Sequence, residues 1–223
     1  MRVNNERSSK KALEMIENVM TPENLQLTVS FTSLFVLVFE CFKDMVIDRP
    51  KEFFCTEKIE FKEDKIVYYE TEKYKCEVKS LAKKPFEASL RWFAKHGVIT
   101  EFDVNKALSI ELRRHSFVHE LYNVVYNGVS NEDIQFLADL ISIYKKIDSW
   151  WIYNVEIDWD DIEYPDNVKQ DECISSSLIM IDMMINILLK GEGDSYREYF
   201  AQIKEAVINK TNDKKVATTM KTN

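Results

Sequence analysis

Apolar and polar positions recur with a helical period over most of the chain. Leu25, Val29, Leu34, Phe35, Val38, Phe39 and Phe42 cover more than one face of a helix, which predicts an element buried on most sides. Thr21 is placed as its N-cap, Pro22 suits its first turn, and Glu23 meets the positive end of its dipole. Arg49-Pro50 predicts its end near Asp48, because proline disfavours helical backbone in the residue before it. A second helix starts at about Ser80, carries Leu81, Phe86, Leu90, Trp92 and Phe93 at helical spacing, and stops at His96-Gly97. Thr100, with Asp103 three residues on, caps a third helix over about 101–126 that ends at Asn127-Gly128. Ser130 or Asn131 caps a fourth, which runs through Leu137, Leu140, Ile143 and Tyr144 to about Trp151. An apolar helix over about 173–189, stopped at Gly191, and a last one over about 195–209 complete the series.

Two stretches break the period. Residues 51–79 mix alternation at Ile59 and Phe61 with an apolar knot at 66–69 and dense charge, which predicts an irregular excursion or a small β-hairpin. Residues 156–172 hold eight acids against the single base Lys169, with Pro165 among them, and read as an acidic loop. The expectation is an all-α bundle of five or six helices. A flexible segment over 1–20 precedes one domain over 21–210, and a disordered tail over 211–223 follows it. With only 4 Gly and 4 Pro in 223 residues, the chain lacks the tight turns that a β-sandwich of this length requires.

A net charge of −8 argues against a dedicated duplex-DNA binder and leaves room for a local basic groove. The four cysteines, at 41, 55, 76 and 173, show no C-x-x-C spacing, and three histidines are too few for a Cys/His zinc cage. They read as reduced thiols. The N-terminus is polar, and the most apolar run, 27–42, is interrupted by Ser30, Thr32, Ser33 and Glu40. It falls short of the roughly 20 apolar residues of a membrane span. A cytoplasmic protein with no membrane partner is expected.

Candidate chemistry concentrates in the Thr100-capped helix, in Glu111-Leu-Arg113-Arg114-His115-Ser-Phe-Val-His119-Glu120. Glu111, His115, Val118, His119 and Tyr122 share one helical stripe, while Arg114 lies about 140° around the helix from His119. Three chemistries fit. RNA cleavage by 2′-OH attack needs a proton acceptor and a cation for the charged transition state, which His and Arg supply. A metal can be shared by His115, His119 and Glu111, since i,i+4 histidines face the same way. Ion-paired arginines beside satisfied histidines are the third reading. Upstream, residues 73–95 hold seven bases, Lys83, Lys84 and Arg91 among them, against two acids, and can form a phosphate-binding wall.

Arg114-His115-Ser-Phe-Val-His119 resembles the Arg-(polar)-x3-His motif of HEPN domains. The run from Ser89 to Leu121 is similar to the helix, turn and motif helix of bacterial HEPN-type proteins of abortive-infection and toxin–antitoxin systems. The resemblance is specific over about 86–126 and diffuse elsewhere. It implies an all-α domain that dimerises with its motif helices facing across a cleft. It also implies a metal-independent endoribonuclease, needing no cofactor, in toxin–antitoxin function or phage defence. Arg114, His119 and His115 would be the catalytic residues, and Arg113, which also stands at a permitted spacing, would contact substrate with Lys83, Lys84, Arg91 and Tyr122. RNA, a second copy of the chain and an antitoxin protein are the implied partners. Some family members are non-catalytic modules that bind a nucleotide, RNA or a protein, and this is the alternative function.

Overall fold

The computed structural model describes residues 12–55, 59–62, 65–157 and 168–191. The fold is an all-α helical bundle. Eight α-helices are present among the described residues, more than the five or six expected: α1 over 12–20, α2 Pro22–Phe54, α3 Glu72–Glu77, α4 Pro85–Lys95, α5 Glu101–His119, α6 Leu121–Asn127, α7 Asn131–Trp151 and α8 Ser176–Lys190. The chain divides into two compact units, Met1–Ile179 and Met180–Asn223, so the boundary falls inside α8 and within the span read as one domain. The helix expected over 195–209, the tail over 211–223 and residues 158–167 of the acidic segment lie outside the described residues.

α2 is the axis of the first unit and packs on α4, α5 and α7. Its aromatic residues form successive rungs. Phe31 and Phe35 meet Phe117 of α5 edge-on at 6.2 and 4.8 Å. One turn on, Phe39 and Phe42 meet Phe86 of α4 at 5.7 and 5.8 Å, and Phe42 also meets Tyr144 of α7 at 5.6 Å. Each such ring pair contributes about 0.5–1.5 kcal/mol beyond area burial. By length and composition α2 is also apolar enough to cross a membrane, beyond what the run 27–42 indicates; much of that apolar surface is the core just described.

The expected end of α2 at Asp48 is corrected: the helix continues through Pro50 to Phe54. Proline removes the hydrogen bond to the carbonyl of Val46, yet tertiary contacts hold the next turn in place. Arg49 donates to the carboxylate of Asp148 at 2.8 Å, and its guanidinium lies 5.6 Å from the Trp151 ring. Phe53 meets Trp151 at 6.1 Å and Phe54 meets Trp92 at 5.8 Å. The Thr71 hydroxyl donates to the Phe54 carbonyl at 3.0 Å, so the segment after α2 closes back on the helix end. Between these anchors stands the hairpin allowed for in 51–79. Strand β1 Ile59–Lys62 pairs antiparallel with β2 Lys65–Tyr68 in the register Ile59 to Tyr68.

Within the segment expected to be flexible over 1–20, residues 12–20 are helical, and Asn18 donates to the Tyr126 carbonyl at 3.1 Å, which ties α1 to the end of α6. α4 starts at Pro85 and ends where predicted, with Gly97 at φ 71. The predicted helix over 101–126 is two helices, because Glu120 leaves helical geometry at φ −121, ψ 28. The break is confined to that residue: Glu120 N–H still donates to Ser116 at 2.8 Å, and its carbonyl accepts from Val124 at 3.1 Å.

α5 and α7 clamp each other reciprocally. Both begin with capping boxes, Thr100 with Asp103 and Ser130 with Asp133. Each box aspartate also receives a cation from the other helix. Lys146 of α7 donates to Asp103 at 2.9 Å, and Arg113 of α5 grips Asp133 with two bonds of 2.5 and 3.0 Å. Lys106 and Asp139 pair midway at 2.7 Å. Burial pushes both box carboxyls up, but the hydrogen bonds from the cap residues and the cations outweigh it, so both sit below the usual aspartate range.

Candidate functional site

The clamp fixes the rotation of α5, and that rotation decides which side of the motif meets solvent. Leu108, Leu112, His115, His119, Tyr122 and Tyr126 follow one another at alternating steps of four and three residues, the spacing of a seam along one helical face. Leu108 and Tyr126 are half-buried, and the four residues between them are exposed, Leu112 and Tyr122 at 71% each. The imidazoles of His115 and His119 lie side by side with ring centroids 4.2 Å apart. Neither makes a hydrogen bond to a described residue. Tyr122 packs against Tyr126 with tilted rings and centroids 4.5 Å apart, and the hydrogen bond between their hydroxyls holds Tyr122 above the ordinary tyrosine range.

Arg114 leaves α5 toward α2, where its guanidinium forms an ion pair with Glu40. Its Nε is buried without a hydrogen-bond partner among the described residues. One turn back, Glu111 receives Lys43 of α2 at 3.3 Å and Lys84, the N-cap residue of α4, at 3.9 Å. Glu40, Lys43, Lys84, Glu111 and Arg114 thus form a charged border along one side of the histidine seam. Glu40 and Lys43 stand one turn apart on α2, Glu40 within the apolar run 27–42 and Lys43 just past it. Glu40 shows in the sequence only as a polar interruption of that run, and nothing in the pattern ties it to Arg114.

The other sequence-derived candidates divide. Lys84 reaches the motif helix, as above. Lys83 is exposed in an open groove of about 550 Å³ with Lys75, Lys79 and Ser80. Arg91 is engaged by Glu87 at 2.9 Å and Glu101 at 3.4 Å. Arg113 is committed to Asp133, and its guanidinium lies 4.5 Å from the Phe117 ring, so it faces α7 and the core. The arrangement brings His115, His119 and Tyr122 together, with Arg114 and Lys84 on the border, and takes Arg113 and Arg91 elsewhere.

Two imidazoles can accept or deliver protons, and a neighbouring guanidinium with two ammonium groups can neutralise a phosphate. No group of three or more His, Cys, Asp or Glu residues able to hold a metal occurs among the described residues. Comparison of the chain with family models, with curated proteins and with solved structures finds no match.

Proposed function

We propose that the chain is a HEPN-type, metal-independent endoribonuclease that acts as a homodimer in the cytoplasm, in toxin–antitoxin function or phage defence, with RNA and an antitoxin protein as partners. The observation that supports this reading best is the exposure of His115 and His119 side by side at the end of α5. Histidines kept for packing would be buried and hydrogen-bonded; these two are neither. His119 takes the 2′-OH proton or delivers one to the leaving 5′-oxygen, and a second copy supplies the complementary role. His115 orients His119 or touches the phosphate. Arg114 exchanges Glu40 for the phosphate, where a guanidinium bonds two non-bridging oxygens at once. The exposed seam of Leu112, His115, His119 and Tyr122 suits pairing with its own copy, which would set two motifs face to face.

The test is cleavage of labelled single-stranded RNA in the presence of EDTA. Loss of a general base costs about 10²–10⁴-fold, so His119→Ala and Arg114→Ala should each nearly abolish cleavage while the helical spectrum is unchanged. Products should end in 2′,3′-cyclic phosphate, and DNA should be spared. A His119→Ala chain that cleaves as fast as the parent, or equal cutting of DNA, refutes the mechanism.

The Arg114–Glu40 ion pair favours a second reading, a non-catalytic module that binds a nucleotide, RNA or a protein, because it neutralises the cation that catalysis needs. Glu40→Gln separates the two. In the nuclease it frees Arg114 and raises cleavage or RNA affinity; in the non-catalytic module cleavage stays absent.

A further inference from the structure

Two histidines four residues apart on one helix present their nitrogens in the same direction, which is how metal-binding helices use that spacing. The pair at the end of α5 meets the requirements of such a chelate without rearranging the backbone. Both side chains are exposed, and the rings already stand 4.2 Å apart at a tilt of 44°. A tetrahedral ion with Zn–N bonds of about 2.0–2.1 Å needs ligating nitrogens about 3.3 Å apart. Ring rotation alone brings two imidazoles at this separation to that distance. The backbone beneath them is fixed, since Arg113, two residues before His115, locks α5 to Asp133.

The neighbours limit what the site can take. Glu111, the carboxylate one turn before His115, is occupied by Lys43 and Lys84 and adds no third ligand. Two imidazoles and water suit copper, nickel or zinc, whose affinity for nitrogen is high; magnesium and calcium require oxygen donors. We infer that His115 and His119 form a two-imidazole chelating site for a late first-row divalent cation, and that its occupancy silences the motif. The ion takes the imidazole lone pair that His119 would use to accept a proton. Because imidazole ligates only in its neutral form, binding weakens on acidification. The chelate stands on the helix geometry alone; the silencing rests on the proposed nuclease function.

Isothermal titration of the EDTA-treated, dialysed full chain with nickel chloride tests the site, with magnesium chloride as the control. Nickel should bind saturably in the micromolar range and magnesium should not. His115→Ala and His119→Ala should each weaken nickel binding by more than about tenfold, a loss of about 1.4 kcal/mol, whereas His96→Ala should leave it unchanged. Both ring positions are exposed, so these variants keep the fold, and circular dichroism checks it. Binding of parental strength in both His115→Ala and His119→Ala, or no heat up to millimolar nickel, overturns the site. RNA cleavage that continues at saturating nickel overturns the silencing and leaves the chelate standing. A parent without cleavage in EDTA defeats the nuclease reading and the silencing with it, while the titration still decides the chelate.

Discussion

Adjacent arginines on α5 should have opposite fates when removed, and Arg113→Ala exposes the difference. Its partner Asp133 is 1% exposed and accepts two bonds from Arg113, with two more from the backbone and hydroxyl of Ser130. Breaking a buried ion pair by removing one partner costs about 3–5 kcal/mol. Here the figure is lower, because the Arg113 side chain is 31% exposed and Ser130 continues to satisfy the carboxylate. Loss of the guanidinium over the Phe117 ring adds about 0.5–1 kcal/mol. A net cost of about 2–3 kcal/mol follows. For a chain of this size each kcal/mol lowers Tm by about 2–4 °C, so the helical signal should melt about 4–12 °C earlier. At a temperature where the variant is fully folded, RNA cleavage should match the parent. Arg114→Ala should do the reverse, with little change in Tm and cleavage lost. An unchanged Tm for Arg113→Ala, or cleavage lost by the folded variant, would refute the assignment of Arg113 to the clamp.

Acid should loosen the same clamp. The folded carboxyls of Asp103 and Asp133 hold their protons less tightly than an unfolded aspartate. Their contribution is therefore complete above the ordinary aspartate pKa of about 3.9 and is lost as pH falls through the lower folded values. Denaturant midpoints measured from pH 6 down to 2, the range of about 3.9 and below included, should drop in the acid limb, and Asp133→Asn should flatten part of that drop; an identical slope in the variant would count against the linkage. Phe117, 1% exposed and in ring contact with Phe31 and Phe35, should cost about 3–5 kcal/mol as Phe117→Ala, read by urea unfolding. A loss under about 1 kcal/mol would mean that the α2–α5 rungs do not carry the core.

Elements with strong local signals were legible in the sequence. Both capping boxes, the Gly97 stop and the aromatic face of α2 follow from the chain itself, because caps, left-handed glycines and helical periodicity act within a few residues. Failures arose where distant contacts decide. Pro50 was read as a terminator because local backbone sterics say so. Asp148, Trp151 and Trp92, about 40 to 100 positions further on, hold the turn past it. The same limit applies to the site. The stripe of His115, His119 and Tyr122 is a property of one helix and was visible. The partners of Arg113 and Arg114 belong to α7 and α2, so the motif alone placed both arginines at the site, Arg114 as catalytic and Arg113 as a substrate contact.

The aromatic cluster that holds the end of α2 has a bearing on how the protein reports its own state. Trp92, Trp150 and Trp151, three of the chain's four tryptophans, lie within 6.4 Å of one another in successive ring contacts, with Phe53, Phe54 and Phe93 around them. Intrinsic fluorescence is therefore weighted toward that junction, where α2, α4 and α7 meet. Among the described residues, the end of α5 that carries His115 and His119 has tyrosines beside it and no tryptophan. A ligand seated on the histidine seam should leave the emission of these three tryptophans nearly unchanged. The same emission should respond early and strongly when the turn after Pro50 lets go, so the light of these three tryptophans follows the end of α2 rather than the motif.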